Sequence, residues 1–377
     1  MKKNLLQVVC VALVSLSIFW LPFGLKVHTL WGIEFGRQGM DVVVQNFDGL
    51  NFLVIAKSLY DPMVIEAINA QFLTGNDPIY FSAHFPLFAL VIKLFASFLS
   101  LPNALLLTIV LSNILLAVGI YNLVRLVSKD PRTWTILTMV ALFFPARMLS
   151  VRAVGSNEPL FIFFILTSLT FALKNKYWPS AIAGALGVLT RSPGILLFGV
   201  YIWQWLREDG LWVHKTKKYL HYLIMPTALL GLFVFYGLRY HDPLAYFHAG
   251  DNLHLFFPPF QIFSNTASWI SDMWREDIIY LYVFYGVGIF LIPQKWDLLK
   301  KWALVYGATL LFVVHRDLAR YALPLAPVAM IGYLPLIEKV PRKMWLVAMV
   351  LLIPIYLMGW QFVLKNIQPI SDWRAFL

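Results

Sequence analysis

Long apolar stretches alternate with short basic ones along almost the whole chain. Runs of about 17–25 apolar residues recur, which is the length an α-helix needs to cross a bilayer. The first run covers roughly residues 4–24 and follows two lysines. It is similar to a secretory signal, but no small-residue cleavage site follows it, so we predict an uncleaved first helix. The pattern as a whole predicts an all-α polytopic membrane protein.

The basic clusters give these helices an orientation. Lysine and arginine accumulate in cytoplasmic loops, so Lys2 and Lys3 place the N-terminus in the cytoplasm. The later clusters predicted on the same side lie at residues 125–132, 174–176, 207–218, 295–301 and 339–343. Crossing back and forth between them predicts a bundle of roughly eleven spans, with the C-terminus outside.

Two long stretches are predicted on the outer side: a first outer loop over residues 26–83 and a later outer loop over residues 239–275. Residues 85–101 are predicted to be a re-entrant or interfacial helix, because a full crossing there would put the cluster at 125–132 outside. Arg191 turns between two short apolar segments at the outer surface. No internal repeat is visible, and residues 1–377 are predicted to form a single integral membrane domain.

Composition agrees with this pattern and limits the function. The chain is 60% hydrophobic and 13% charged, against about 45–50% and about 25% in soluble domains. The net charge of +11 is explained by cytoplasmic basic loops rather than by nucleic-acid binding. The single cysteine, Cys10, excludes an intramolecular disulfide.

Several charged and polar side chains collect on the predicted outer side. Charges at membrane depth are costly and usually mark a functional site. Arginines on this side are not explained by the positive-inside rule, whereas a guanidinium binds phosphate through two parallel hydrogen bonds. The set comprises Asp48, His84, Glu158, Arg191, Asp242, His248, Arg316, Arg320 and Tyr321.

The acids and the histidine also have purely structural explanations. Asp48 is placed to cap the helix that starts near Gly49, since aspartate is favoured at N-caps. His84 would equally serve as a core histidine bound to a backbone carbonyl. Glu158 would pair with Arg152.

The arginines have such explanations too. Arg191 and Arg320 would snorkel to lipid headgroups, and Asp242-Pro243 would be only a turn. The functional interpretation gains force because these residues fall on one face together.

An outer acid with several arginines beside lipid suits sugar transfer from a polyprenyl phosphate. The leaving phosphate carries charge that arginines stabilise, a carboxylate accepts the proton of the acceptor hydroxyl, and a water-poor pocket suppresses hydrolysis. The chain has no G-x-x-x-x-G-K-[ST] or G-x-G-x-x-G loop and no H-E-x-x-H or Cys/His cluster. We therefore predict no nucleotide cofactor and no metal site.

Five short segments carry a resemblance, in order along the chain. They are DGLNFLVIAKSLY (48–60), HFPLF (84–88), SNEPLF (156–161), TRSPG (190–194) and HDPLAYF (241–247). This set resembles motifs of the lipid-linked-sugar glycosyltransferases of the GT-C superfamily, and most closely the phosphatidylinositol-glycan class V mannosyltransferases (GPI mannosyltransferase 2) and their prokaryotic relatives. The departures are Phe47 for the family's Trp, His84 for an aromatic residue, Pro159 for Ser and Ala89 for a frequent Pro.

The resemblance implies roles for the outer residues. Asp48 would be the catalytic acid/base and Glu158 the second acid. Arg191, together with Arg316, Arg320 and the adjacent Tyr321 that the topology places outside, would surround the donor phosphate. The residues expected at the substrate are His84, Phe85, Asn157, Asp242 and His248. Phe85, Phe88 and other outer-loop aromatics would line a sugar and prenyl groove, although an interfacial aromatic belt explains them equally well.

The expected activity is a hexosyl transfer, most often of mannose, on the outer or lumenal face. The expected partners are a polyprenyl-phosphate sugar donor, a lipid-linked or glycan acceptor and membrane lipids, with no nucleic acid. The membrane would be the plasma membrane in a prokaryote or the endoplasmic reticulum in a eukaryote. Two alternatives stay open: a transporter or flippase of lipid-linked sugars, and a non-catalytic membrane subunit. A transporter often shows repeated halves, and the chain shows none.

Overall fold

The chain is almost entirely helical in the computed structural model, which describes residues 2–69, 75–250, 254–264 and 266–377. Its α-helices are α1 Lys2–Gly24, α2 Asp41–Val44, α3 Gly49–Ser58, α4 Pro62–Asn69, α5 Pro86–Phe95, α6 Leu101–Val127, α7 Pro131–Phe143, α8 Arg147–Arg152, α9 Glu158–Leu173, α10 Tyr177–Thr190, α11 Leu196–Arg207, α12 Trp212–Tyr219, α13 Ile224–Tyr240, α14 Ala245–His248, α15 Asp272–Leu291, α16 Asp297–Leu310, α17 Leu318–Tyr321, α18 Ala326–Gly332, α19 Leu334–Ile337, α20 Arg342–Val350 and α21 Leu352–Lys365. The 3-10 helices are Pro78–Ala83, Ser192–Ile195, Leu220–Leu223, Gln261–Phe263, Gln294–Trp296 and Leu323–Leu325. A small antiparallel hairpin pairs β1 Thr29–Leu30 with β2 Ile33–Glu34. The predicted all-α class is confirmed.

Four stretches of the described chain are helical, long and apolar enough to cross a membrane, and a bent pair would make a fifth. The four are Lys3–Gly24, Leu101–Val127, Trp212–Tyr240 and Lys343–Lys365, and the pair is Asp272–Leu291 with Gln294–Leu310, bent by 103°. These helices are compatible with a membrane protein. The count of roughly eleven spans stays a prediction, because the other apolar helices are shorter than a full span.

Prolines account for much of this shortening. α7 ends at Phe143, just before Pro145, and Pro324 lies inside a 3-10 turn between α17 and α18. Proline lacks a backbone N–H and disfavours helical geometry in the residue before it, so a helix commonly ends before one, although α1 continues through Pro22. The apolar pattern is therefore continuous where the helices are not.

The predicted first outer loop is not an open loop. It contains the β-hairpin, α2, α3, α4 and a 3-10 helix. In α3 every residue except Lys57 is buried. α5 has ten residues and is about 15 Å long, against about 30 Å for the hydrocarbon core. Its predicted re-entrant or interfacial position stays a prediction.

The two ends of α1 mark the two ends of the bundle. Near its start, Asn4 Nδ2 donates to the carbonyl of Pro131, 3.1 Å away, among the basic loops. Near its end, Trp20 Nε1 donates to the carbonyl of Ala153, 2.7 Å away. The C-terminal tail also packs at this second end, where Gln368 N donates to the carbonyl of Gln45 at 2.9 Å. The basic loops and the segment around residues 45–48 therefore lie at opposite ends of α1.

Candidate functional site

Four charged side chains from distant parts of the chain meet in one charge cluster, formed by Asp48, Glu158, Arg191 and Arg320. The guanidinium of Arg320 donates through Nη2 to Asp48 Oδ2 and through Nε to Glu158 Oε1, the latter at 2.5 Å. Arg191 Nη1 donates to the same Glu158 oxygen. Both arginines are thus ion-paired with carboxylates of the chain. The alternative in which they extend to lipid headgroups is not what the structure shows. The structure brings together four of the residues that the sequence predicted on one face.

Two glycines bring the acidic segments together. A Cβ added to Gly155 would lie 2.5 Å from the Cα of Gly49, and a Cβ on Gly49 would lie 2.1 Å from the carbonyl oxygen of Val44. Real Cβ atoms essentially never approach so closely. Only glycine therefore lets the start of α3 touch the turn before α9, and this contact sets Asp48 near Glu158.

The start of α9 is fixed by its own polar residues. Ser156 Oγ donates to Glu158 Oε2. Asn157 donates through Nδ2 to the carbonyl of Thr190 at 2.9 Å and accepts from Arg191 Nη1 at 3.1 Å. Asn157, predicted at the substrate, joins α9 to the turn that carries Arg191. Its observed contacts orient an arginine of the cluster.

Arg152 is not the partner of Glu158. Its guanidinium is fully buried and donates to the carbonyl of Leu142 at 2.9 Å, to Asn113 Oδ1 at 2.8 Å and to Ser15 Oγ at 2.6 Å. These contacts tie α1, α6 and α7 to α8 inside the core. The alternative of a structural Glu158–Arg152 ion pair is therefore wrong.

His84 faces Asp48. Its Nε2 lies 3.6 Å from Asp48 Oδ1 and 3.2 Å from Asn51 Nδ2, and Tyr60 OH donates to its backbone carbonyl at 2.6 Å. Its Nδ1 is buried and has no hydrogen-bond partner within the described chain. The interpretation as a core histidine satisfied by a carbonyl is wrong, and the ring keeps hydrogen-bonding capacity beside the cluster.

Asp48 occupies the N-cap position of α3 but makes no side-chain cap hydrogen bond. Its carboxylate is directed at Arg320 and His84 instead. Burial raises the pKa of this carboxyl, but the charges and hydrogen bonds of Arg320 and His84 outweigh it and hold the pKa far below its usual range. Asp48 is therefore ionised, and it is a weak base for as long as Arg320 stays paired with it.

An aromatic pair extends the cluster to two residues that the sequence did not single out. Arg147 Nη2 lies 2.9 Å from Asp317 Oδ1, and its guanidinium lies 3.7 Å from the ring centroid of Phe362. Phe362 stacks on Phe47 at 5.5 Å. Burial raises the pKa of the Asp317 carboxyl although Arg147 opposes the shift. In the sequence, Asp317 lies two residues after His315 in the charged segment HRDLAR. This run of charged residues is the one sequence feature that marks Asp317 as a candidate site residue.

Phe47 connects this extension to the charge cluster. The guanidinium carbon of Arg320 lies 4.4 Å from the Phe47 ring centroid, within the range of a cation–π contact. Phe47 itself has a positive φ of 50°, which is uncommon for a residue with a side chain. This backbone conformation directly precedes Asp48.

Other predicted site residues lie outside the charge cluster. Arg316 is exposed and forms no ion pair with a described residue. Asp242 and His248 pair with each other at 2.6 Å, and Asp242 Oδ1 accepts from the backbone N of Leu244 at 2.9 Å, as in a turn. The turn alternative for Asp242-Pro243 therefore agrees with the structure. The hydrogen bond from His248 holds the pKa of Asp242 below its ordinary value.

The two aromatic residues predicted to line the groove, Phe85 and Phe88, are buried. Phe85 and Phe88 are 1% and 0% exposed, so neither faces an open groove. Phe85 packs on Tyr246 at 5.3 Å, and Tyr246 OH donates to Ser192 Oγ at 2.8 Å, next to Arg191. By contrast, Tyr321 stays at the cluster, with the Arg191 guanidinium 5.8 Å from its ring centroid.

The arrangement defines a helical protein with apolar, membrane-length helices and a buried cluster of paired arginines and carboxylates. Within the described ranges, no three His, Cys, Asp or Glu side chains come close enough to hold a metal ion. No protein-family model matches the chain, and no curated protein sequence is significantly similar to it.

Proposed function

We propose that the chain is a GT-C-type integral membrane glycosyltransferase acting on the outer or lumenal face. It would move a sugar from a polyprenyl phosphate to a lipid-linked or cell-surface acceptor. The observation that carries the proposal is the charge cluster, in which Asp48, Glu158 and two arginines converge from four separate segments. The donor class and mannose as the sugar rest on the motif resemblance. The same proposal includes a membrane topology in which the helices form roughly eleven spans.

The proposed reaction is a single displacement at the anomeric carbon. The acceptor oxygen bonds to that carbon while its proton passes to a carboxylate oxygen of Asp48. The bond between the carbon and the donor phosphate oxygen breaks, and polyprenyl phosphate leaves with the electron pair. Arg191 and Arg320 stabilise the charge that develops on the phosphate. The unpartnered Nδ1 of His84 offers a hydrogen bond to a sugar hydroxyl.

Donor binding must change the partners of Arg320. A phosphate accepts two parallel hydrogen bonds from one guanidinium, and in this proposal the donor draws Arg320 towards itself in that way. Asp48 would lose the contact that depresses its pKa and become a stronger base. Base strength would thus rise only when the donor is in place, which disfavours proton transfer in the empty site.

Purified protein in liposomes with polyprenyl-phosphate mannose and candidate glycolipids tests the proposal. We expect a new product one hexose heavier than the acceptor by mass spectrometry, lost in Asp48→Asn and retained in the control Arg316→Ala. Arg316 is the matched control because it is an outer arginine outside the charge cluster. Movement of the donor lipid between leaflets without product would instead assign a flippase. Neither product nor movement, with folded protein, would overturn the proposal.

A further inference from the structure

A cavity lies between α6 and α9 at the basic end of the bundle, at the opposite end of α9 from Glu158 of the charge cluster. Its volume is about 90 Å³, several times the roughly 10–15 Å³ that one water requires. It is lined by Gly119, Asn122, Thr167, Thr170, Phe171 and Lys174. Two of these residues, Thr170 and Lys174, bring a hydroxyl and an ammonium group to the lining.

The Thr170 hydroxyl lacks a partner. Thr170 is 5% exposed, and its Oγ1 makes no hydrogen bond to any residue that the structure describes. A buried hydroxyl without a partner costs free energy, and Asn122 of α6 and Thr167 of α9 add further polar residues to the lining. Polar side chains spaced along one face of an otherwise apolar helix indicate a polar occupant.

Lys174 places a positive charge at the mouth of the cavity. Lys174 follows the last residue of α9 and forms no ion pair among the described residues. Partial burial and the charges of Arg125 and Lys176 lower the pKa of its ammonium group. Carbonyls at the C-terminus of α9 attract a cation, and the positive charges of Arg125 and Lys176 act on Lys174, so an anion beside Lys174 is favoured. A phosphate group supplies that charge and accepts hydrogen bonds from both ammonium and hydroxyl.

We propose that this cavity binds the phosphate of an anionic phospholipid headgroup. α6 is itself long and apolar enough to cross a membrane, so its basic end would lie at headgroup level, where basic pockets between helices hold acidic lipids. Lys174 supplies the charge, Thr170 Oγ1 donates to a phosphate oxygen, and Phe171 packs on the adjoining lipid. The site is separate from the proposed sugar transfer and does not depend on it.

Native mass spectrometry of the full chain in detergent tests the site with phosphatidylglycerol and phosphatidylcholine as probes. We expect one phosphatidylglycerol bound in preference to phosphatidylcholine. Lys174→Gln should weaken phosphatidylglycerol binding by about fivefold, and Thr170→Val by about threefold. The matched controls are Lys217→Gln, an exposed lysine of α12, and Thr227→Val, whose hydroxyl already donates to the carbonyl of Leu223. Both should bind as the unaltered chain does.

Three outcomes would overturn the proposal. Equal losses in Lys174→Gln and Lys217→Gln would mean a diffuse positive surface and no built site. Equal binding of the two lipids would mean that charge is not recognised. Displacement of the lipid by inorganic phosphate at low millimolar concentration would assign the cavity to a soluble phosphate compound. Because Lys174 is exposed, its replacement leaves the packed core intact, and the test does not depend on a fragile variant.

Discussion

Arg320 holds two carboxylates with one guanidinium, through Nη2 to Asp48 and Nε to Glu158. Its planar fork reaches both acids at once, whereas a lysine ammonium is a single point of charge. The side chain is 11% exposed and that of Glu158 1%, so solvent cannot replace a lost contact. Arg320 therefore links the two acids of the cluster. In the proposed function, the same guanidinium would contact the donor phosphate.

Arg320→Lys should retain the fold and weaken donor binding. A lysine ammonium lacks the planar fork that spans both carboxylates, and losing a charge-assisted contact costs about 1.5–3 kcal/mol, or roughly tenfold to a hundredfold. We expect KM for the polyprenyl-phosphate donor to rise by at least about tenfold, with KM for the acceptor unchanged. The control is Arg316→Lys at an exposed position. A rise confined to the acceptor would remove Arg320 from the donor site.

Arg320→Ala should act mainly on folding. It leaves Asp48 and Glu158 as two carboxylates with one arginine fewer, and breaking a buried ion pair from one side typically costs about 3–5 kcal/mol. Thermal unfolding in detergent should show a clearly lower Tm than that of Arg316→Ala. Equal melting of the two variants would mean that solvent or lipid replaces the guanidinium.

Asp48→Asn removes the proposed base while leaving the start of α3 able to form. The side chain makes no cap hydrogen bond, and asparagine occupies an N-cap about as well as aspartate does, so α3 should still form, whereas loss of the charge opposite Arg320 should lower the Tm. Loss of a general base should slow sugar transfer by about a hundredfold to ten-thousandfold, measured as kcat with saturating donor. Asp242→Asn is the control acid, in a turn outside the cluster. Near-normal turnover would move the base role to Glu158 or Asp317.

The same substitution predicts a pH dependence of stability. The pKa of Asp48 in the folded chain lies below its ordinary value, which is about 3.9 in an unfolded chain. Its stabilising effect is therefore fully present above that pH and is lost as the pH falls through the folded-state pKa. We expect the difference in unfolding free energy between the unaltered chain and Asp48→Asn to be constant from about pH 5 to 8 and to shrink below about pH 4. A difference that grew on acidification would contradict the ion pair.

At the scale of elements, the contact between α3 and the turn before α9 decides whether there is a cluster at all. Gly155→Ala would place a Cβ 2.5 Å from the Cα of Gly49, with backbone on both sides unable to move aside. Overpacking of this kind typically costs about 1–3 kcal/mol, and the separation it forces would draw Asp48 away from Glu158. We expect a lower Tm together with a loss of transfer activity.

The matched control for this element is Gly231→Ala. Gly231 lies inside α13 and has no atom within 4 Å of an added Cβ. Alanine is favoured over glycine in a helix by about 0.8–1.0 kcal/mol, so this variant should melt at the same or a higher temperature. If both alanine variants behaved alike, close packing at Gly155 would not be the cause.

Elements also show where sequence patterns succeed. The extent predicted for the first helix, about residues 4–24, agrees closely with α1, because an apolar run of this length is typical of one continuous helix. The structure of residues 26–83 differs from the predicted outer loop. The polar flanks of this stretch favoured an outer loop, yet α3 within it is buried, and burial depends on helices that pack over it from elsewhere.

For the whole molecule, the decisive question is which end of the bundle faces which side of the membrane. We predict that Arg316 lies on the outer side and Lys217 on the cytoplasmic side. In a Cys10→Ser background, Arg316→Cys should react with a membrane-impermeant maleimide from outside, and Lys217→Cys only after permeabilisation. Both positions are exposed, so labelling reports sidedness rather than burial. If both cysteines reacted from the same side, Arg316 and Lys217 would lie on one side of the membrane, and the predicted orientation would be wrong.

The sequence by itself determined the properties that depend on residue type and short-range order. Apolar run length sets the helical class, lysine and arginine spacing sets the expected sidedness, and the residue types of Asp48, Glu158, Arg191 and Arg320 marked them as candidates. The tertiary structure decided which of these meet. Asp48 and Arg320 pair although 272 positions separate them in the sequence. Arg316, four residues from Arg320, is exposed and does not join the charge cluster. Pairing depends on close backbone approaches such as that of Gly49 to Gly155, and no local pattern encodes the distance between two segments that touch only once the chain is packed.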